Sequence, residues 1–597
     1  MTGYAAPLSE MRFVLDEIAD LAGIARLPGY EDATPELIDQ ILGEAGRFAA
    51  EMLAPLNSIG DQEGSRIENG VVVTPKGFKE AYRAFAQGGW NGVPFEPRWG
   101  GQGLPWALAS ALQEMWSSAN MAFSLCPLLT QSAVEALQRH GSPEQQALYL
   151  PKLVSGEWAG TMNLTEPQAG SDVGALRTRA VKDGAHYRIT GQKIFITYGE
   201  QDFTENIVHL VLARTAGAPA GTKGISLFIV PKFLPNADGA PGRRNDLRCL
   251  SLEHKMGIKA SPTCVMSYGE NGGAVGFLIG EEQRGMEYMF TMMNNARLAV
   301  GIEGLAIAER ALQQARSYAR QRVQSRLAEA RDGEPVPIIR HPDVRRTLMT
   351  MRALTDAMRA IIYLTAGALD RAKCEPEASR RATALAHAEL MTPIAKAWCT
   401  DRGVDVASLN IQVHGGLGYI EGTGAAQHLR DARIAPIYEG TNGIQAIDLV
   451  GRKLGRDGGA AMTALLAEMR ADAASLSESG DSDLTGIGRT LEAALDDLDA
   501  TTRWLVERMP KELPRALAGA TPYLELAGTA IGGWLMARQA AAARRRMAAN
   551  GTDDAFLAAK LATARFYADN LLPRTGALAA AAVNGPGSLL ALAPEDI

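Results

Sequence analysis

The sequence predicts an N-terminal α-helical domain over 1–158, a middle β-barrel over 159–282, a second α-helical bundle over 283–455 and an extra C-terminal α-helical module over 460–597. Three observations carry this. Apolar residues recur at three- and four-residue spacing on both sides of the middle segment. The middle segment breaks into short β-branched and aromatic runs separated by turn residues. A glycine-rich linker, Gly455-Arg-Asp-Gly458-Gly459, precedes a final alanine-rich stretch.

In the first part, Ile38, Ile41 and Leu42, then Phe48, Met52 and Leu53, mark helical faces. Pro97-Arg-Trp-Gly-Gly101-Gln-Gly103-Leu-Pro105 breaks the helices; no dinucleotide-fold pattern follows it, so it has no phosphate role. In the second part, Tyr187–Thr190, Lys193–Thr197, Ile207–Leu212, Ile225–Val230 and Gly276–Ile279 read as strands, and Asn271-Gly272-Gly273 as a hairpin-like turn. In the third, Leu298–Leu312 reads as a long amphipathic helix whose small residues permit close packing. In the fourth, segments near Ala460–Ser477, Leu484–Arg508, Tyr523–Ala549 and Asp554–Leu572 read as helices that pack the body or an oligomer.

Composition narrows the function classes. The 597 residues suffice for several cores, and 46% hydrophobic with 21% charged residues is globular in character. The net charge of −7 disfavours nucleic acid and anionic membranes. The start lacks a secretory pattern, and no apolar run reaches membrane-spanning length; 576–594 comes nearest but is broken by Asn584-Gly-Pro-Gly587. Five scattered cysteines form no Cys-x-x-Cys pair, and eight histidines form no ligand-spaced cluster, so neither a disulfide framework nor a metal is expected. The expected location is cytoplasmic.

Chemistry concentrates in two segments. Arg430-Asp-Ala-Arg-Ile-Ala-Pro-Ile-Tyr438-Glu439-Gly440-Thr441-Asn442-Gly443-Ile-Gln445 places a carboxylate between an aromatic and a glycine, ahead of an apolar helical run. Far upstream lies Met162-Asn-Leu164-Thr165-Glu166-Pro167-Gln168-Ala169-Gly170-Ser171-Asp172-Val173-Gly174. Together they resemble the acyl-CoA dehydrogenases, flavoenzymes that desaturate acyl thioesters at the α and β carbons. The resemblance covers roughly 37–454. The length and C-terminal module resemble a large bacterial subgroup of that family.

The resemblance implies Glu439 as the base that removes the α-proton. It implies FAD held by Met162, Leu164, Thr165, Phe195, Ile196, Thr197, Arg322, Gln412, Gly415, Gly416 and Thr441. Phe195-Ile196-Thr197 stands where the family commonly has Trp-Ile-Thr, so aromatic stacking survives. Tyr318-Ala-Arg-Gln-Arg322 matches a segment whose guanidinium grips the FAD pyrophosphate across a subunit boundary, a task suited to its planar fork. Here Gln324-Ser-Arg replaces the usual Phe-Gly ending. Gln412-Val-His-Gly415-Gly416-Leu-Gly418-Tyr matches the family's glycine cluster, where backbone can approach a cofactor closely; His414 within it reads as structural. For the acyl-CoA, the matched residues are Ser171, Asn294, Arg297, Tyr438 and Gly440. Some relatives carry the base at the position of Ala296, which leaves Glu439 as the motif-matched carboxylate.

Desaturation beside a thioester removes a proton and a hydride, and no amino acid accepts hydride, so a redox cofactor must. The implied donors to the thioester carbonyl are the Glu439 N–H and a ribityl hydroxyl of FAD; such donors typically contribute ~3–4 kcal/mol each. Burial would move the Glu439 carboxyl toward neutrality. Electron-transfer flavoprotein is the implied electron acceptor, a homodimer or homotetramer the implied assembly. The substrate reading is 3-methylmercaptopropionyl-CoA or another short- or medium-chain acyl-CoA. The alternatives are an acyl-CoA oxidase using dioxygen and a DNA-binding flavoprotein of the alkylation-response type. The C-terminal module's 13 basic against 17 acidic residues oppose the latter.

Overall fold

The computed structural model describes residues 3–329, 333–550 and 554–597. The chain forms two compact units. One comprises Met1–Gly43, Pro105–Glu114 and Val300–Ile597; the other comprises Glu44–Leu104 and Met115–Ala299.

The second unit joins helices to a barrel. Phe85 and Trp116 meet edge to face at 5.6 Å, as do Phe48 and Trp116, so this helical part is held by aromatic packing. The helix Trp106–His140 is interrupted at Asn120 (φ −160°, ψ 90°), whose side chain accepts from the Phe123 amide at 3.1 Å and restarts the helix. Residues 66–73 depart from the helical expectation: Arg66–Glu68 and Val71–Val73 form a hairpin. Its turn is Asn69-Gly70, both at positive φ, a signal present in the sequence.

The main sheet comprises β1 (Trp158–Asn163), β2 (Arg179–Asp183), β3 (His186–Thr197), β4 (Asn206–Thr215), β5 (Ile225–Pro231), β6 (Leu247–Leu252), β7 (Thr263–Tyr268) and β8 (Ala274–Leu278). Strand β3 pairs with β8, β8 with β5, β5 with β4, β4 with β2, and β2 with β3 again. This cycle closes the expected barrel, and β7, β6 and β1 extend it. Ile189, Ile196, Phe228, Val230, Met266 and Tyr268 fill its core.

Two expected strands, 187–190 and 193–197, are one twelve-residue strand, β3. Its first half pairs with β8 and its second with β7. Asn271-Gly-Gly therefore does not close a hairpin: the strands it joins both pair with β3. Gly191 lies between the halves, where a Cβ would sit 2.5 Å from Thr178 Oγ1.

The first unit is helical. Its long helices are Gly285–Gln321 (from Val300 onward), Pro342–Cys374 and Ala378–His414. The Leu298–Leu312 segment is not amphipathic as expected; all of its residues are buried. Its polar side chains find internal partners instead. Arg359, fully buried, donates to Glu114 at 2.7 Å and Glu309 at 2.7 Å, and Tyr363 donates to Glu114 at 2.7 Å.

The C-terminal module belongs to this unit. The four expected helices appear as Ala460–Ser477, Ser482–Arg508, Ala520–Asn550 and Ala555–Asn570. A fifth, Thr575–Leu589, runs through the segment expected to be broken; Pro586 falls in its last turn. Trp398 of the bundle is buried against this module, with its Nε1 3.4 Å from Thr529 Oγ1. Lys560 ion-pairs with Glu10 and with Asp356, the latter at 3.2 Å.

Candidate active site

In the barrel unit, β1 and β3 bring one group of expected residues together. Met162 is the penultimate residue of β1, and Leu164 and Thr165 follow the strand. The Thr165 carbonyl accepts from the Ile194 amide at 2.9 Å. Lys193, fully buried, donates to the Leu164 carbonyl at 2.9 Å and to Glu166 at 2.8 Å. The Glu166 carboxylate also accepts from Arg177 N at 2.6 Å and from Thr178 N and Oγ1 at 3.0 and 2.6 Å. A buried ion pair thus fixes the loop that carries Leu164 and Thr165 beside the end of β3. Phe195 sits there at φ 60° with 58% of its surface exposed. Ile196 is buried in the barrel core, and Thr197 is half-buried. A large aromatic held outward at positive φ is an unfavourable choice for a strand residue, and it offers a flat apolar face.

Burial alone would raise the Glu166 carboxyl; Lys193 and the Thr178 and Arg177 donors outweigh it and hold it at about 2. Burial pulls Lys193 down to about 8 while Glu166 pulls it up, so both are charged at neutral pH. Because the folded value of Glu166 lies below the ordinary 4.5, its stabilisation is present above pH 4.5 and is lost as pH falls toward 2. Glu166→Gln should cost ~3–5 kcal/mol by stranding the buried ammonium, read as a lowered Tm at pH 7 with less of the acid sensitivity. An unchanged Tm would remove the structural role.

Ser171 lies in a separate exposed turn, Asn294 is exposed, and Arg297 is buried.

In the helical unit, the Arg322 and glycine-cluster motifs are neighbours. Tyr318 stacks on His414 with ring centroids 4.2 Å apart. His414 is buried and its Nδ1 lies 2.8 Å from the Asn410 carbonyl, which fits the structural reading. Arg322 is exposed at the end of its helix, and Gln412, Gly415 and Gly416 are exposed. A Cβ on Gly415 or Gly416 would meet nothing within 4 Å, so the backbone there is open to close approach, although the Gly415 amide itself donates to the Gln412 carbonyl. Leu417, Tyr419 and Ile420 beside them are exposed.

The turn Tyr438–Thr441 holds the remaining group. Glu439 adopts φ 56° and Gly440 φ 86°. A non-glycine residue there costs ~1–3 kcal/mol and persists only where surroundings enforce it. Here Gln445 Nε2 donates to the Glu439 carbonyl at 3.3 Å and the Gly440 carbonyl at 3.2 Å. Thr441 Oγ1 accepts from the Ile444 amide at 3.3 Å and caps the helix Asn442–Ile447. Asn442 anchors the turn to the 378–414 helix through Thr400 Oγ1 at 3.0 Å, Asp401 at 2.7 Å and Lys396 at 2.8 Å.

Sequence reasoning missed Glu303. It is fully buried, and the Tyr438 hydroxyl donates to its Oε2. Its signal was a lone carboxylate within the apolar run Ala299-Val-Gly-Ile-Glu303-Gly-Leu-Ala.

Within the barrel unit, the outward Phe195 face would suit a flavin ring and the Thr165 and Thr197 hydroxyls its polar edge; within the helical unit, Arg322 and the exposed glycine backbone would suit phosphates. Among the described residues no His/Cys/Asp/Glu group could hold a metal, and no helix is long and apolar enough to cross a membrane.

Models of the acyl-CoA dehydrogenase N-terminal, middle and C-terminal domains match residues 36–157, 161–270 and 283–454, and one described as acetyl-CoA dehydrogenase C-terminal like matches 465–593. The chain is 48% identical over 570 residues to a 3-methylmercaptopropionyl-CoA dehydrogenase of Ruegeria pomeroyi, covering 95% of this chain and 96% of that one. It is 34% identical over 592 residues to a broad-specificity linear acyl-CoA dehydrogenase of Mycobacterium tuberculosis, covering 96% of each. An acyl-CoA dehydrogenase of Bacillus anthracis complexed with FAD shares the fold, with TM-score 0.74, 22% identity and coverage of 98% of this chain and 95% of that one. With near-complete coverage of relatives at such identity, this chain belongs to the acyl-CoA dehydrogenase family.

Proposed function

We propose that this protein is an FAD-dependent dehydrogenase of acyl-CoA thioesters, in which Glu439 takes the α-proton. The observation that carries the assignment is the Glu439 turn: a carboxylate in a left-handed conformation, fixed by Gln445, Thr441 and Asn442. A base with a prepaid geometry loses little freedom on reaching the reactive position. When bound, FAD accepts the hydride from the β-carbon. Phe195 would stack on the flavin, Leu164, Thr165 and Thr197 would line it, and Arg322, Gln412, Gly415 and Gly416 would hold its pyrophosphate. The Glu439 amide would polarise the thioester carbonyl, and Ser171, Asn294 and Arg297 would meet the CoA chain. Flavin reduction by acyl-CoA, followed by rapid mixing in wild type and Glu439→Gln, tests the assignment.

Arg322→Ala should lower FAD retention while the barrel stays folded, because an exposed guanidinium removes little packing. A variant that keeps full flavin after dialysis would rule out the pyrophosphate role.

The 48% identity to the Ruegeria enzyme supports 3-methylmercaptopropionyl-CoA as substrate. That compound differs from a linear acyl-CoA by sulfur in place of a methylene, a change worth only ~1–3 kcal/mol to a pocket. kcat/KM over a panel of acyl-CoAs decides between them. Electron-transfer flavoprotein is the proposed acceptor, and turnover should be much slower with oxygen alone; equal rates would make the enzyme an oxidase. The exposed Leu417, Tyr419 and Ile420 beside the glycine cluster support a homodimer or homotetramer that completes the FAD site. Light scattering showing a fully active monomer would overturn that.

A further inference from the structure

Glu303 is a buried carboxyl that the reaction above does not use. It is fully buried in the helix Gly285–Gln321, in the apolar run that follows Val300. Among the described residues no lysine or arginine forms an ion pair with it; its hydrogen bond is with Tyr438. Its Oε2 accepts from the Tyr438 hydroxyl, and its Oε1 is buried with no hydrogen-bond partner among the described residues. Tyr438 immediately precedes Glu439. The charged groups that act on it are Glu439 and Lys396, and the Lys396 ammonium donates to Asn442 Oδ1 at 2.8 Å.

A buried carboxyl with one neutral donor and no cation bonded to it is more stable protonated than ionised at neutral pH. The orphan Oε1 is the oxygen that would carry the proton, which leaves Oε2 as the acceptor for the phenol. We propose that Glu303 is a positioning residue that acts as a neutral acid: protonated, it anchors Tyr438 and keeps a second negative charge away from Glu439, and its ionisation shuts the reaction down. This rests on Glu439 being the base.

Burial raises the Glu303 carboxyl most, the Tyr438 hydrogen bond lowers it, Glu439 raises it and Lys396 lowers it, for a value of about 8. Proton removal by Glu439 leaves negative charge on the acyl group. A Glu303 anion, buried behind Tyr438, opposes that charge, whereas the acid does not. Flavin reduction should therefore fall on the alkaline side with a midpoint near pH 8, about tenfold between pH 7 and 9 for one ionisation.

Two variants of the full-length holoenzyme test this by rapid mixing over pH 6–10. Glu303→Gln keeps an acceptor for the phenol but cannot ionise, so its alkaline limb should vanish and its rate at pH 9 should match its own rate at pH 7. Tyr438→Phe removes the one hydrogen bond that lowers the Glu303 carboxyl, so its limb should move to higher pH, by about one unit. Infrared difference spectra of the apoprotein supply a reading independent of flavin. Wild type minus Glu303→Gln should show a carboxylic-acid C=O band at pH 7 that is gone at pH 10. The proposal is overturned if Glu303→Gln keeps the wild-type limb, or if that band is missing at pH 7. If Glu303→Gln does not fold, the Tyr438→Phe shift and the wild-type infrared titration still decide. Failure of the base assignment shows separately, as fast flavin reduction in Glu439→Gln.

Discussion

Glu439→Gln is expected to keep its FAD and its acyl-CoA affinity while flavin reduction by substrate falls by at least ~10²–10⁴-fold, the cost of losing a general base. The amide preserves size and the backbone turn. Gln445, Thr441 and Asn442 hold that turn through main-chain groups and neighbouring side chains. Retained flavin and acyl-CoA binding in the variant would assign the loss to proton transfer. Two other carboxylates bear on the result. Glu166 is tied into the Lys193 pair and already carries four hydrogen-bond donors besides, so its substitution should move stability more than rate. Glu303 is close enough to influence Glu439, yet its protonated state makes it a poor substitute base. A near wild-type rate in Glu439→Gln would end the assignment of Glu439.

The contrast between these three glutamates shows where the sequence was legible. Glu439 and Glu166 stand in local motifs, so contiguous residues announced them. The closed barrel was legible because period-two runs and turn residues are local signals, and the four helical segments after Gly459 for the corresponding reason. What failed depends on contacts distant in sequence. Whether Asn271-Gly-Gly closes a hairpin is decided by β3, whose length lets it take β7 and β8 on its two halves. The 298–312 helix looks amphipathic because its charges recur, but Glu309 is answered by Arg359 and Glu303 by Tyr438, both from far along the chain. A helix with internal partners for its charges can be buried all round, and spacing alone cannot reveal those partners. The Asn69-Gly70 hairpin is the opposite case, a strong local signal overlooked inside a mostly helical stretch.

Ending the chain at Gly458 is expected to leave the bundle insoluble or aggregated. The module does not hang from the body by its linker. Gly528 lies so close to Trp398 that a Cβ would sit 2.3 Å from the indole Cγ, and a Cβ on Gly532 would sit 3.4 Å from Ala357 Cβ. Trp398 and Ala357 are both fully buried in the intact protein, and exposing a large apolar side chain costs ~1.5–3 kcal/mol. Lys560 also departs with the module, which leaves Asp356 and Glu10 as neighbouring acids, with Arg352 3.2 Å from Glu10 and Arg359 3.6 Å from Asp356 as the remaining cations. Two point variants separate this packing role from a role in chemistry. Gly528→Val drives a branched side chain into the Trp398 ring, and Lys560→Met removes the buried cation at similar length. Each should lower Tm, by the equivalent of ~1–3 kcal/mol for the overpacked glycine and about 3 kcal/mol for the stranded acids. Neither should change the relative kcat/KM for different acyl-CoAs, because both act on helix packing. If the truncated chain is soluble, melts like wild type and prefers different acyl-CoAs, the module shapes the substrate site and the packing role is wrong.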